Sequence, residues 1–366
     1  MKKQHTNVIV TQTERSRLPE PYNNLPAFMQ SGTPVKQLTD TFQRTINYLR
    51  ISITDRCNLR CVYCMPPEGI PALSHDAILS YEEIVRIVRV AAGEGIKKVR
   101  ITGGEPLVRK GVVGLVALLS KVQGIQDLSM TTNGILLADY AKPLFDAGLM
   151  RVNVSMDSLM PQRFKEITRG GELSQVLKGI ETAESVGLKP IKINVVAIKG
   201  FNEGEIIDFV RLTIDHDYHI RFIEFMPVGH ENGWHPESYL SGASIMQSIE
   251  RHFPIEQIVG DAARGTDRPA DLFRIRGARG VIGFINAISN HFCASCNRLR
   301  LTADGKLRPC LFSDVECDVR SVLRSGGSDE ELKTILHTAL SSKPKKHALF
   351  EPSFRKCVRD MVSIGG

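Results

Sequence analysis

Short apolar runs alternate with amphipathic segments along most of the chain from about residue 48. Each run is rich in β-branched residues, which is typical of buried strands, and the segments between runs repeat their apolar positions with the period of a helix. Six such units predict an α/β fold, a partial (β/α)6 TIM-like barrel with functional residues at the carboxyl ends of its strands. A doubly wound sheet is the alternative. The predicted strands cover 48–54, 99–104, 128–134, 151–158, 191–200 and 220–227.

Local signals place the ends of the predicted helices. Ser80 and Glu83 form a candidate capping box, in which each side chain bonds the backbone N–H of the other residue. Glycine readily adopts the left-handed conformation that terminates a helix. The glycines predicted to end three of the helices are therefore Gly93 or Gly95, Gly124 and Gly187.

The regular strand–helix pattern stops near residue 230. An amphipathic segment near 245–253, two short β-like runs, a second group of cysteines and a helical stretch from about 328 follow. We therefore predict three parts: an irregular N-terminal extension (1–45), the barrel (46–230) and a C-terminal domain (231–366).

Composition limits the classes of function. The chain has 366 residues, 42% of them hydrophobic, so it can build a packed core. Its net charge of +7 favours an anionic partner such as a nucleotide, a phosphate or a nucleic acid. Aromatic residues make up only 6% and are not interleaved with basic blocks, which argues against nucleic-acid binding. The longest apolar run, at 112–119, is too short for a membrane span, and the N-terminus does not resemble a secretory signal.

Three of the eight cysteines lie in one short loop directly after the first predicted strand. Cys57, Cys61 and Cys64 have the spacing C-x3-C-x2-C, which lets three thiolates converge on one face of an iron–sulfur cluster. A fourth iron then stays open to a ligand. A zinc site is the alternative, but zinc motifs usually pair two C-x2-C elements. The loop therefore indicates a reactive iron–sulfur centre.

This loop, placed after the first strand of a βα repeat, resembles that of the radical S-adenosylmethionine enzymes. The resemblance implies that the cluster chelates S-adenosylmethionine and, when reduced, cleaves it to a 5′-deoxyadenosyl radical. Tyr63 precedes the last cysteine, and Gly104 lies in a Gly-Gly-Glu-Pro turn, where glycine lets the backbone approach a ligand. Ser155 and Met226 follow at the ends of later strands. All four match contacts to the cofactor in that family.

A second triplet, Cys293, Cys296 and Cys310, has the spacing C-x2-C-x13-C. Three ligands would leave a metal open, whereas a fourth would close a zinc or iron–sulfur site. The candidates for a fourth ligand are Cys317, His291 and Cys357. Arg298 and Arg300 alternate along a β-like run inside the triplet, so they share one face and can clamp phosphates. The arginines favour an open site that holds an anionic ligand.

The order of these motifs resembles the GTP 3′,8-cyclases, the molybdenum cofactor biosynthesis protein A family, from about residue 44 to the end. The stretches that carry it are YLRISITDRCNLRCVYCMP, VRITGGEPLVR, MTTNG, FIEFMP, FCASCNRLRLTADGKLRPCLF and the terminal Gly-Gly. The resemblance implies two [4Fe–4S] clusters, the second of which binds the guanine base of GTP. It also implies conversion of GTP to (8S)-3′,8-cyclo-7,8-dihydroguanosine 5′-triphosphate. The implied contacts to GTP are Arg50, Arg100, Thr131, Lys192, Arg298, Leu299 and Arg300.

The resemblance also implies partners and a role for the last two residues. Gly365 and Gly366 would reach the active site, and we assign them to catalysis. The family implies a homodimer, an electron donor, and a cyclic pyranopterin monophosphate synthase that consumes the product. Oxygen-labile clusters need a reducing compartment, so we expect a cytoplasmic protein. The alternatives are a peptide-modifying radical enzyme with an auxiliary cluster and a non-catalytic zinc or nucleic-acid module.

Overall fold

The computed structural model describes residues 37–229, 233–258, 270–349, 351, 354 and 356–365. Most of the predicted N-terminal extension therefore lies outside the described residues. Its last part packs against the fold. Leu38 is buried in the hydrophobic core, and an ion pair of 2.6 Å joins Arg44 Nε to Asp40 Oδ2. The limits of the extension and of the two domains stay predictions.

Six parallel strands form the centre of the sheet, and they follow one another in chain order. Each predicted strand is present. A doubly wound sheet would reverse its strand order near the middle, so the sequential order confirms the partial barrel. The strands are β1 (Tyr48–Ser52), β2 (Lys98–Thr102), β3 (Asp127–Thr132), β4 (Arg151–Ser155), β5 (Ile191–Ala197) and β6 (Tyr218–Glu224).

Helices between these strands pack their apolar faces into the same hydrophobic core. The first helix begins with the predicted capping box: the Glu83 N–H donates to Ser80 Oγ (3.2 Å), and the Ser80 N–H donates to Glu83 Oε2 (2.7 Å). The second ends at Leu119 and not at Gly124, because the N–H groups of Lys121 and Val122 donate to carbonyls three residues back instead of four. The helices are α1 (Tyr81–Gly93), α2 (Val112–Leu119), α3 (Leu137–Asp146), α4 (Pro161–Thr168), α5 (Leu173–Ser185) and α6 (Ile206–Asp215).

The C-terminal part of the chain extends both edges of the central sheet. β9 (Val281–Ile285) joins β6 in parallel, and β10 (Arg298–Leu301) joins β1 in parallel. The outer strands are antiparallel: β8 (Asp271–Ile275) and β7 (Ile255–Gln257) lie beyond β9, and β11 (Lys306–Arg308) and β12 (Cys317–Asp318) lie beyond β10. The helices of this part are α7 (Gly242–Glu250), α8 (Val319–Arg324), α9 (Asp329–Ser341) and α10 (Met361–Ile364).

The two faces of the parallel strands differ in polarity. On β1, Leu49 and Ile51 belong to the hydrophobic core under the helices, whereas Tyr48 and Arg50 line the barrel interior. Since side chains alternate along a strand, the interior receives the polar set from each strand. The barrel centre is therefore a cavity into which polar and charged side chains of the strands project. Among the described residues, no helix is both long and apolar enough to cross a bilayer.

Candidate active site between two cysteine triplets

One cavity connects the two cysteine triplets through the barrel. The first triplet lies in the loop after the carboxyl end of β1, whereas Cys293 and Cys296 precede the amino end of β10, the parallel neighbour of β1. The prediction that functional residues lie at the carboxyl ends of the strands is therefore correct for the first triplet and wrong for Cys293 and Cys296. All six predicted metal ligands line this cavity: Cys57, Cys61, Cys64, Cys293, Cys296 and Cys310.

The loop of the first triplet is a tight turn in which the Cys64 N–H donates to the Cys61 carbonyl (2.9 Å). Asn133, after β3, reaches Cys57 Sγ with its Nδ2 at 3.8 Å. Burial raises the pKa of all three thiols, and neighbouring thiols raise the pKa of Cys61 and Cys64 further. Buried thiols that must lose their protons together need the positive charge of a metal. The donor set therefore fits an iron–sulfur cluster with one open iron.

Tyr63 is fixed at the wall of the cavity. Its hydroxyl donates to Asp157 Oδ2 (2.7 Å), and Asp157 Oδ1 accepts the backbone N–H of Val196 (2.7 Å). Burial raises the pKa of Asp157 to about 6, against the effect of these hydrogen bonds. The ring also lies edge-on to Phe225, with centroids 6.5 Å apart. Tyr63 thus packs against the protein and still lines the cavity.

Gly104 is required by contact with the cysteine loop. Its N–H donates to the Thr54 carbonyl (2.7 Å), and the next N–H, of Glu105, donates to the Arg56 carbonyl (2.8 Å). A Cβ at Gly104 would collide with that same Arg56 carbonyl. The close backbone approach predicted for this turn is therefore an approach to the cysteine loop. The N–H of Gly104 is used in that contact.

The second triplet lies in a more cationic environment. Cys293 begins a short 3-10 turn, and the Cys296 N–H donates to the Cys293 carbonyl (3.2 Å). Burial alone would raise the pKa of Cys296, but the charges of Arg298 and Lys343 outweigh it and lower the pKa to about 6. This cysteine is therefore already prepared to act as a thiolate ligand.

Of the three candidates for a fourth ligand, His291 alone lines the cavity, since Cys317 and Cys357 lie outside it. Ligand atoms of His291, Cys293 and His347 all fall within 4.8 Å of one another. His347 is engaged elsewhere: its Nε2 is 3.0 Å from the Ala287 carbonyl, and its Nδ1 accepts the Leu349 N–H at 3.3 Å. His291 thus stays the one candidate that faces the second triplet.

Three arginines stand side by side between the triplets. The strand register places Arg300 on β10 opposite Arg50 on β1, and Arg50 opposite Arg100 on β2. Adjacent strands are about 4.8 Å apart, so the three arginine side chains extend next to one another from one wall of the cavity. Burial, followed by the charges of Arg300, Arg100 and Arg298, pushes the pKa of Arg50 well below its usual value. This wall is therefore prepared for an anion.

The remaining predicted contacts divide into two groups. Thr131, Ser155 and Met226 line the cavity. Lys192 is buried outside its lining, at 1% exposure, next to Asn153 in the register of β4 and β5. Leu299 is wholly buried in the hydrophobic core. Any contact from Leu299 to a ligand in the cavity is consequently limited to its backbone.

Sequence reasoning missed Arg221, which lines the cavity from β6. A charged residue inside the apolar run IRFIEF was the available signal, because strand alternation turns it away from the helices. Among the described residues, five arginines line the cavity against two carboxylates, Asp157 and Glu224. Both acids accept hydrogen bonds from the protein, Glu224 from the N–H groups of Ile288 and Ser289. Arginines thus outnumber carboxylates in the described lining of the cavity.

The C-terminal tail reaches the arginine row. The Gly365 carbonyl accepts from Arg50 Nη2 and from Arg300 Nη1, both at 3.3 Å. Gly365 has a φ of +74°, and a Cβ there would lie 2.5 Å from Thr102 Oγ1. Glycine is thus needed both for its conformation and for space. Gly366, the other predicted catalytic residue, lies outside the described residues.

Comparison with known proteins connects this geometry to a family. Residues 51–213 match the Radical SAM superfamily, and residues 218–349 match the family Molybdenum Cofactor Synthesis C. The GTP 3′,8-cyclase of Alkaliphilus metalliredigens is 53% identical over 90% of this chain and all of its own length. The chain belongs to the GTP 3′,8-cyclase family. The Moorella thermoacetica member is 51% identical over the same share of both chains.

A solved structure shares the fold of this GTP 3′,8-cyclase family member. Streptococcus suis SuiB, solved with bound S-adenosylmethionine, matches 87% of this chain and 78% of its own with a TM-score of 0.58. The two sequences are only 18% identical. This likeness therefore concerns the fold alone, with its partial barrel and C-terminal domain.

His219, on β6, makes the stability of this family member sensitive to acid. Burial, then the charges of Lys192 and Arg221, lowers its pKa from 6.5 to about 3. Between these two pH values the folded state binds fewer protons than the unfolded state. The contribution of His219 to the free energy of unfolding is therefore fully present above about pH 6.5 and is lost as the pH falls toward 3. We expect His219→Gln to reduce the fall in unfolding free energy between pH 7 and 4.5, by up to ~1.4 kcal/mol per pH unit. Urea unfolding measures it, with the exposed His252→Gln as control; an unchanged acid dependence in His219→Gln would refute the assignment.

Proposed function

We propose that this protein is a GTP 3′,8-cyclase, a lyase that forms (8S)-3′,8-cyclo-7,8-dihydroguanosine 5′-triphosphate in molybdenum cofactor biosynthesis. The observation that carries the proposal is the row of Arg300, Arg50 and Arg100 between two cysteine triplets. Like charges placed side by side repel one another unless an anion lies against them. The triphosphate of GTP is such an anion, and it would hold the nucleotide between the two metal centres.

Each triplet offers three sulfur ligands and fits a [4Fe–4S] cluster with one open iron. At the first triplet, the cluster and S-adenosylmethionine supply the chemistry of hydrogen-atom abstraction, here from the ribose of GTP. The chain's own groups hold the cofactor in place. Tyr63 lines its site with a ring fixed by Asp157, and the Gly104 carbonyl, Ser155 and the backbone of Met226 complete the set.

At the second triplet, we assign the open iron to the guanine base. Arg298 lies against the Phe292 ring, with its guanidinium carbon 4.7 Å from the ring centroid, and both residues line the cavity. Thr131 lines the cavity, whereas Lys192 adds positive charge from the same face of β5 as the lining residue Asn194. These groups bind and orient the nucleotide in a buried site, where charged contacts are stronger than in water.

The proposed reaction requires partners. A reductant must supply an electron to the first cluster, and the product must pass to a cyclic pyranopterin monophosphate synthase. The thiolate ligands and clusters of this scheme require a reducing compartment, for which we propose the cytoplasm. A homodimer is proposed from the family.

Arg300→Ala and Arg298→Ala are expected to weaken GTP binding by about 1.5–3 kcal/mol each, because each removes a buried charged contact. This corresponds to a roughly 10- to 150-fold rise in Kd. The affinity for S-adenosylmethionine should change far less, since its site lies at the other triplet. Anaerobic isothermal titration measures both ligands.

Arg276→Ala provides the matched control, because Arg276 is exposed and pairs with Glu256 at 2.8 Å on the surface. It should leave both affinities unchanged. Equal weakening of the two ligands in the cavity variants would show that the arginines only support the loop around Cys296. Anaerobic turnover with GTP and S-adenosylmethionine tests the function itself; consumption of the cofactor without conversion of GTP would contradict it.

A further inference from the structure

Lys343 follows α9, and its ammonium group lies next to the second cysteine triplet. Its side chain is buried, with the residue only 4% exposed. The ammonium donates to the carbonyls of Arg298 (2.8 Å) and Pro309 (2.7 Å) and lies 3.5 Å from Cys296 Sγ. A buried ammonium is costly unless its three donors are satisfied, and here all three are.

These contacts join two separate segments of the triplet. Arg298 comes two residues after Cys296, and Pro309 immediately precedes Cys310. One ammonium therefore ties together the strand and the loop that present two of the three sulfurs. The third sulfur, that of Cys293, belongs to a segment that Lys343 does not contact directly.

Arg44 holds that third segment. Its Nη1 donates to the Cys293 carbonyl (2.8 Å) and to the Lys345 carbonyl (3.1 Å), and its Nη2 donates to the Pro344 carbonyl (2.8 Å). Residues 343–345 thus connect, directly or through Arg44, to the segments of all three cysteines. Within this arrangement, the charge of Lys343 lies against a sulfur, that of Cys296, beside the charge of Arg298.

We propose that Lys343 is a positioning residue for the second cluster, holding its cysteine segments together and raising its reduction potential. The inference rests on the second cluster of the proposed function. A fixed positive charge next to a thiolate ligand opposes the negative charge of the cluster, and it favours the reduced state. The same contacts slow the opening of the loops through which iron is lost.

The test uses a full-length chain in which Cys57, Cys61 and Cys64 are replaced by alanine, so that iron reports the second triplet alone. Lys343→Met removes the charge at similar length, and Lys345→Met is the control, since its side chain is exposed two residues away. We expect Lys343→Met to lower the midpoint potential in an EPR-monitored redox titration. We also expect iron to pass to a chelator about tenfold faster. The Lys345→Met variant should have the same midpoint potential and the same rate of iron loss as the parent chain, in which Lys343 and Lys345 are both present.

Failure to assemble the cluster in Lys343→Met, but not in Lys345→Met, would also support the holding role. Unchanged potential and iron loss, or equal changes in both variants, would overturn the inference while leaving the second cluster in place. Absence of iron from the parent chain would instead overturn the second cluster of the proposed function, and this inference with it.

A measurement without substitution covers the case in which Lys343→Met does not fold. The natural chain is labelled with 15N at the lysine side chains, and the second cluster is examined by pulsed EPR. A weak nitrogen coupling is expected, because an ammonium lies in hydrogen-bond range of a ligand sulfur. A spectrum with no coupling to lysine nitrogen would overturn the proposal.

Discussion

Cys61→Ala is expected to reduce the cleavage of S-adenosylmethionine to background while leaving the second cluster intact. Cys61 lies between the other two ligands of its loop, and all three thiols face the same cavity. Two sulfurs cannot hold a cluster that needs three, so the open iron and its cofactor are lost together. The second triplet is carried by other segments of the chain, so about four iron atoms should remain after reconstitution.

The experiment combines iron counting with an assay for 5′-deoxyadenosine under anaerobic conditions. Cys317→Ala is the matched control, because Cys317 is a half-buried thiol on β12 that does not line the cavity. It should retain the iron of both clusters and full cleavage. Normal cleavage in Cys61→Ala, or loss of all iron, would contradict the division of the six cysteines into two independent centres.

The sequence predicts most of the fold because its strands and helices carry strong periodic signals. The run 48–54 alternates so clearly that β1 and its two faces can be predicted without a structure. The end of α2 could not be predicted in this way. Gly124 does adopt a left-handed conformation, but the chain has already left the helix in tighter turns by then. A glycine signal shows where a turn is allowed and does not fix where the helix stops.

The candidate site was predictable where its residues are close in the chain. The two triplets and the pair of arginines on β10 are local patterns. The alignment of Arg300, Arg50 and Arg100 depends on strand register between distant segments, which no local pattern specifies. The same holds for Lys343, whose ammonium contacts Cys296 from 47 residues away. Leu299 shows the converse: it lies between two cavity arginines in sequence, yet its side chain is in the core.

Substitution of Gly365 in the C-terminal tail allows the effect of a strained backbone conformation to be separated from the effect of a steric clash. Gly365→Ala is expected to lower cyclisation of GTP about 100-fold, the scale of a small misplacement in an active site. The new methyl group would meet Thr102 Oγ1 at 2.5 Å, so the tail must leave the position in which its carbonyl accepts from Arg50 and Arg300. Cleavage of S-adenosylmethionine and the iron content should change little, because the cysteine segments are not touched.

Gly200→Ala is the control for this substitution. Gly200 has nearly the same φ, +73°, but an added Cβ there has nothing within 4 Å. Both variants therefore carry the same conformational cost, about 1 kcal/mol of stability, and only Gly365→Ala adds the collision. We expect full cyclisation in Gly200→Ala and a severe loss in Gly365→Ala and in a chain that lacks residues 365 and 366. Full activity in Gly365→Ala, measured with the iron of both clusters verified, would show that the contact between the tail and the arginine row plays no part in the reaction.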